Sequence, residues 1–473
     1  MGVRTQLTEL RNRVEGKTFE VWEEASGTIT AFLNGNSVVT SETNSLTGMV
    51  EISSVPVLPK FTVALLGDSL TRNNQWTGSS YEPTINSQLG YWTFASQFLG
   101  KRFVYNASLN FGVFGDRTDQ VLARVPQVLS TSANIVVELS GINDVLADVP
   151  AATIIANRLA IWAALHNAGR FVIAGTILPC SFTMNSARAK TLSAVNAWMR
   201  LNVPLMQGVK LWDSFFNLSD LTSSVAGCAT NCYAADLLHL ERKGAQIAGY
   251  DLAQTINTAF PTAAGVFSGV CAATGLSDFY DATNNPTGNL VSNPLLLGTA
   301  GTKAGAYATG NVADGWTVYR PTGSTIVCVG SKNVIALANG QTYAEQQLVV
   351  STPGGGVAEE EISFQQGVTT AANDPFTGGC YFDVSAISGR LNFVESRSQI
   401  QYGAYSIICR DGFLSGGGAN GLALSMLNSA LQTPSGVCPA GGTVTNTSVV
   451  VGLDCTVAGS VTVKIRLPYA RKL

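Results

Sequence analysis

Phe61-Thr62-Val63-Ala64-Leu65-Leu66-Gly67-Asp68-Ser69-Leu70 is the stretch that decides the fold. Its first six residues are apolar or β-branched and the run breaks abruptly at Gly67, which reads as a buried strand stopping at a turn. Strand and helix patterns alternate after it, so the strand belongs to a parallel sheet with helices on both faces. Ser69 then stands at the carboxyl end of a parallel strand, where open α/β sheets keep their active sites. Taken alone, such a serine is an ordinary turn residue.

Three further stretches supply what a nucleophilic serine needs. They are Asn110-Phe111-Gly112-Val113-Phe114-Gly115-Asp116, then Gly141-Ile142-Asn143-Asp144 directly after Ile135-Val136-Val137-Glu138-Leu139, and finally Asp236-Leu237-Leu238-His239. A serine hydroxyl is a poor nucleophile and needs a base within hydrogen-bond reach. The chain has two histidines. His166 ends a helical pattern (Ile154, Arg158, Ile161, Trp162, Leu165) closed by Gly169, the place of a surface residue near a negative helix end. His239 follows Asp236 by three residues, a spacing at which a carboxylate reaches the imidazole, fixes its tautomer and stabilises its charged form.

The ordered set resembles the GDSL or SGNH hydrolase family over roughly residues 61–260, under half of the chain. The resemblance implies a flavodoxin-like fold and a catalytic trio of Ser69, Asp236 and His239. It also implies an oxyanion hole made by the backbone N–H groups of Ser69 and Gly115 and the side-chain amide of Asn143. Gly112 is the alternative donor if the loop is longer than usual. The continuation Gly115-Asp116-x-Thr118 favours Gly115. No cofactor is implied.

The 473 residues suffice for two to four domains, and 46% hydrophobic against 12% charged residues describes a chain that buries a core. The net charge of −3 gives no basic footprint for nucleic acid, and no apolar run is long enough for a membrane-spanning helix. The polar start, Met1-Gly2-Val3-Arg4-Thr5-Gln6-Leu7, lacks an apolar signal core and a myristoylation pattern. Nine cysteines are spread along the chain, most of them reading as small buried apolar residues. Cys228 and Cys232 are spaced for a small disulfide loop. No second ligand pair makes them a metal site.

Four parts are expected. Residues 1–59 form a small β-rich attachment segment. Leu7, Leu10 and Val14 predict a short helix there, Phe19–Trp22 and Ile29–Leu33 predict strands, and Asn34-Gly35 a hairpin turn. Residues 60–262 form the α/β domain, entered past Pro56 and Pro59. Its predicted strands are Val63–Leu66, Phe103–Asn106, Ile135–Leu139, Phe171–Thr176 and Val209–Trp212. Its predicted helices lie around Tyr91–Leu99, Asp119–Leu129, Ala152–Asn167, Ala187–Leu201 and Glu241–Thr258. Residues 263–288 form a linker ending in Asn284-Asn285-Pro286-Thr287-Gly288. Residues 289–473 form an all-β sandwich, with predicted strands at Thr325–Val329, Gln347–Ser351, Tyr405–Cys409, Val449–Leu453 and Val461–Leu467. Asn289–Pro294, Asp314-Gly315-Trp316 and a returning last strand look like a jelly-roll carbohydrate-binding module.

The functional expectation is a serine esterase that removes small acyl groups, acetyl above all, from a polysaccharide. The loop 71–89 is expected to wall the substrate groove, with Trp76 and Tyr81 in contact with the sugar. From the β-rich additions and the polar start, the expected setting is a virion tail fibre or tailspike, a homo-oligomer such as a trimer that acts on a bacterial surface glycan and has other virion tail proteins as partners. A secreted carbohydrate esterase is the next reading, then a lipid-directed thioesterase or lipase, then a glycan-binding virion protein without activity. A histidine-free C-terminal half holds no second catalytic trio of this kind.

Overall fold

In the computed structural model the described residues are 4–12, 17–24, 28–33, 36–42, 61–75, 89–220, 227–261, 280–283, 285–286, 288–336, 342–369, 375–402, 405–414, 426–433, 436–437 and 442–472. Val14, the turn Asn34-Gly35, Pro56, Pro59, Trp76, Tyr81 and most of the 263–288 linker lie outside them.

The N-terminal strands β1 (Arg4–Asn12), β2 (Lys17–Glu24), β3 (Thr28–Leu33) and β4 (Asn36–Glu42) form an antiparallel sheet in chain order. The helix expected from Leu7 and Leu10 is therefore a strand. A bulge between Gln6 and Thr8 breaks the two-residue period of β1, which makes a three-residue apolar spacing compatible with extended chain.

The α/β part begins with β5 (Val63–Gly67), α1 (Ser69–Arg72), α2 (Tyr91–Phe98) and β6 (Asn110–Gly112). It continues with α3 (Thr118–Ala123), α4 (Val125–Leu129), β7 (Ile135–Leu139), α5 (Ile142–Leu146) and α6 (Ala151–Asn167). Next come β8 (Phe171–Gly175), α7 (Ser186–Asn202), β9 (Val209–Trp212), the short pair β10 (Ser219–Asp220) and β11 (Gly227–Cys228), and α8 (Arg242–Ala259). The order β6-β5-β7-β8-β9 is a parallel sheet, with Leu65 level with Val137 and Val137 with Ile173. Both faces are covered, and every residue of β5 and β7 is buried, which is why their sequences are nearly continuous apolar runs.

Two elements differ from expectation. Phe103–Asn106 makes a single bridge, Thr62 to Val104. The Asn106 side chain then accepts from Ser108 N–H at 3.0 Å, turns the chain into a 3₁₀ turn, and moves the edge strand to Asn110. The helix expected over Asp119–Leu129 is two helices meeting at Arg124, because Pro126 in the first turn of α4 has no N–H to continue α3.

The C-terminal strands are β12 (Ala300–Lys303), β13 (Ala308–Gly310), β14 (Val312–Tyr319), β15 (Val327–Ala336), β16 (Thr342–Thr352), β17 (Glu360–Gly367) and β18 (Pro375–Ser388). They are followed by β19 (Leu391–Tyr402), β20 (Tyr405–Leu414), β21 (Met426–Gln432), β22 (Gly436–Val437), β23 (Gly442–Leu453) and β24 (Gly459–Lys472). One sheet runs β12-β14-β17-β23-β19-β20 and the other β13-β15-β16-β24-β18-β21, with β22 beside β18. Both are antiparallel except at β12/β14 and β13/β15. Leu290 N–H donates to Ala470 O and the Asn289 amide to Pro468 O, so the start of this region lies against its last strand.

Candidate active site

The site forms where β5 ends. A Cβ at Gly67 would meet Leu139 O at 2.0 Å, so only glycine lets β5 and β7 run this close at the turn. Asp68 caps α1, its carboxylate accepting from Leu70 N–H at 3.0 Å. Ser69 is the first residue of the helix, a position whose N–H has no acceptor within the helix. The helix is held from three sides. Thr71 Oγ1 lies 2.9 Å from Tyr91 Oη, and the Asn74 and Asn110 amides donate to Thr71 O at 2.8 and 3.1 Å.

Asp236 and His239 reach Ser69 from the loop before α8. His239 Nε2 lies 2.9 Å from Ser69 Oγ, and His239 Nδ1 lies 2.6 Å from Asp236 Oδ2. Asp236 Oδ1 also accepts from the N–H groups of Leu238 and His239, both at 3.0 Å. Partial burial raises the Asp236 pKa, but these bonds, led by the one to the His239 ring, outweigh it and hold the carboxyl below its usual range. The loop closes on itself through Ala234 N–H to His239 O and Glu241 N–H to Cys232 O. Between Asp236 and His239, Leu237 adopts a left-handed φ of +56°, and its carbonyl accepts from Ser181 N–H, Phe182 N–H and Cys228 Sγ. Cys228 and Cys232 are both free thiols, so the small disulfide loop for which they are spaced is not formed. His166 is an exposed residue in the last turn of α6.

Of the two candidate glycines, Gly112 lies in β6 and its N–H is taken by the Asn110 side chain at 2.9 Å. Gly115 stands in the loop with φ +78°, and among the described residues no atom lies within 4 Å of where a side chain would project. The Asn143 amide donates to Asp116 O at 2.9 Å, which fastens α5 to the residue after Gly115. An –NH₂ group carries a second hydrogen for another acceptor. Thr118 completes the junction by donating to the Asp144 carboxylate from its N–H at 2.8 Å and its hydroxyl at 2.6 Å. The structure thus joins Ser69, Asp236 and His239 directly, and links Gly115 to Asn143 through Asp116.

Sequence reasoning gave no role to Asn110, Arg124, or the buried Glu138–Arg158 pair, which has a 2.6 Å contact and a third partner in the Trp162 indole. The visible signals were a polar residue inside the apolar run of β7 and an arginine on the buried face of α6. Exposed apolar side chains border the site. Val113 and Phe114 precede Gly115, Leu237 sits beside His239, and Phe182 bonds to the Leu237 carbonyl. Among the described residues no cluster of His, Cys, Asp and Glu is arranged to hold a metal ion.

Residues 65–247 match the model of the GDSL-like Lipase/Acylhydrolase family. No curated protein matches the chain. Three solved structures are similar to it at 14% identity. An acetyl-xylooligosaccharide esterase variant from Geobacillus Stearmophilus covers 42% of this chain and 96% of its own, with a TM-score of 0.35. The psychrotrophic esterase EstA from Pseudoalteromonas sp. covers 42% and 99%, with a TM-score of 0.33. A member of the lipolytic protein G-D-S-L family from Veillonella parvula covers 42% and 98%, with a TM-score of 0.33.

Proposed function

We propose that this chain, whose residues 65–247 are of the GDSL lipase–acylhydrolase type, is a serine esterase that removes acetyl groups from a polysaccharide. The observation that carries the chemistry is the unbroken line from Asp236 through His239 to Ser69. Ser69 Oγ attacks the ester carbonyl carbon while His239 Nε2 takes the hydroxyl proton. Asp236 holds the ring tautomer and stabilises the imidazolium. The N–H groups of Ser69 and Gly115 and the free amide hydrogen of Asn143 receive the oxyanion. Collapse expels the sugar alkoxide, which takes the proton from His239 and leaves an acyl-serine. Water then attacks that ester with His239 again as base, and acetate leaves as the serine recovers its proton.

The polysaccharide and the setting are supported by architecture. Two β-sheets follow the hydrolase segment, a form suited to holding a glycan chain or packing identical subunits. The setting we propose is a virion tail fibre or tailspike, assembled as a homo-oligomer, in which several copies raise avidity for a repetitive surface glycan. Trp76 and Tyr81 remain the proposed contacts of the loop after α1. A second reading, hydrolysis of esters with longer acyl chains, draws on the exposed Phe114 and Leu237 beside the site.

Acetate release from acetylated polysaccharides, measured beside hydrolysis of p-nitrophenyl esters of rising chain length, separates the two. Deacetylation of polymer with rates falling along the ester series is the expected result, and rates rising with chain length would favour the second reading. Ser69→Ala and His239→Ala should each lower kcat by several orders of magnitude with the fold intact. A His239→Ala enzyme with native turnover would overturn the assignment. Mass measurement in solution tests the oligomer, and a strict monomer that binds no surface glycan would sink the tail-fibre setting.

A further inference from the structure

Arg124, at the junction of α3 and α4, gathers three pieces of the site onto one guanidinium. Nη2 donates to Gly67 O at 3.0 Å, at the last residue of β5 before the nucleophile's turn. Nη1 donates to Phe111 O at 3.0 Å, in the edge strand β6 that leads into the Gly115 loop. Nε and Nη2 meet Asp116 Oδ2 at 3.1 and 2.6 Å, one residue past Gly115. Both partners of the ion pair are largely buried, with side-chain exposures of 15% and 12%. Gly67 O accepts in addition from Val113 N–H at 3.2 Å, so the same carbonyl ties the loop to the strand twice. Asp116 O in turn receives the Asn143 amide.

We propose that Arg124 is a positioning residue that sets the distance between the nucleophile's turn and the oxyanion donors. The inference rests on the acyl-transfer reading of Ser69. Arg124 needs no contact with substrate for this. A planar fork of five fixed N–H donors can hold two carbonyls and a carboxylate at once, and the single ammonium of a lysine cannot copy it. If the strap is lost, the Val113 N–H bond to Gly67 O remains, but the strand end and the Asp116 side of the loop can shift relative to each other. A transition state that needs donors within about 3 Å of its oxyanion then suffers more than the bound substrate does.

The test compares native enzyme, Arg124→Ala and Arg124→Lys, using p-nitrophenyl acetate turnover, the rate at which a fluorophosphonate labels Ser69, and thermal melting. In the labelling step Ser69 Oγ bonds to phosphorus, fluoride leaves, and His239 takes the proton. We expect Arg124→Ala to lose roughly 10²-fold in kcat, the scale of one lost oxyanion donor, with KM near native and labelling slowed in parallel. Guanidinium ion added to this variant should restore part of kcat, because it can refill the space between Gly67, Phe111 and Asp116. Arg124→Lys should recover little.

Native kcat in a folded Arg124→Ala enzyme overturns the inference, as does a loss confined to KM or a loss that guanidinium does not relieve. If Arg124→Ala does not fold, Arg124→Lys decides. A fall in kcat at unchanged KM and melting temperature supports the strap, and native kcat removes it. A native chain that neither turns over ester nor labels at Ser69 overturns the acyl-transfer reading and the inference with it, whereas an active native chain beside an equally active variant overturns the inference alone.

Discussion

Asp68 shows how much one residue of the site departs from ordinary behaviour. Its side chain is fully buried behind Ser69, one carboxylate oxygen capping α1 and the other without a hydrogen-bond partner among the described residues. Burial pushes its pKa from 3.8 up to about 7, against the bond from Leu70 N–H and with small additions from Glu138 and Asp144. The sign of the consequence follows from proton binding. Between the two values the folded chain holds a proton that the unfolded chain has lost. This group's contribution to stability is therefore fullest below the unfolded value and is lost as pH rises toward the folded one. Asp68→Asn keeps an oxygen for the cap and removes the titration. The melting temperature of the variant relative to native should accordingly rise between about pH 4 and 7 and level off above it. A difference that stays constant over that window would mean that Asp68 is ionised in the fold.

At the scale of elements, the loop between Asp236 and His239 works because Leu237 is held in a conformation most residues avoid. Three donors converge on its carbonyl to keep it there. A left-handed residue costs about 1–2 kcal/mol, and a β-branched side chain fits worse still. Leu237→Val should lower both the melting temperature and kcat, since Asp236 and His239, the proposed acid and base, flank the strained position, whereas Leu237→Gly should leave kcat near native. Equal kcat in both variants would show that the loop tolerates either backbone. The same loop explains what the sequence made legible. Asp236 and His239 carry their chemistry in their residue types, and with two histidines in the chain the choice was short. Strands β5 and β7 were legible because a strand buried on both faces is written as an apolar run. Asn110 and Arg124 were not legible, because they act mostly on backbone groups, which leave no mark on residue type, and the side-chain partner of Arg124, Asp116, lies eight positions away. Glu138 and Arg158 stood in view as a polar residue in a strand and an arginine in an apolar stripe. Only the packing of α6 on the sheet made them a pair.

Across the whole molecule, the α/β part and the C-terminal sheets are joined by a buried ion pair. Lys101, just past the end of α2 with φ +54°, places its ammonium 2.8 Å from the Asp411 carboxylate of β20. The Asp411 side chain is wholly buried and also accepts from Gln432 N–H at the end of β21. One carboxylate therefore ties two strands of the β-region to the helix that packs on α8 and β21. A pair of this kind adds little over a well-packed apolar contact, yet removing one partner costs about 3–5 kcal/mol because the other charge stays buried. Lys101→Met keeps most of the stem and removes the charge, so the cost should appear at the junction. In calorimetry, the native chain should unfold these two regions in one shared transition, and Lys101→Met should split or broaden it. Adding Asp411→Asn should recover part of the loss, since a neutral side chain no longer needs the ammonium. If the double variant is no more stable than Lys101→Met, the two charges do not work as a pair. Esterase activity followed through the same heating run gives the functional side of the test. If the sheets support the site, activity in Lys101→Met should disappear with the earlier transition rather than with the one that the sheets retain.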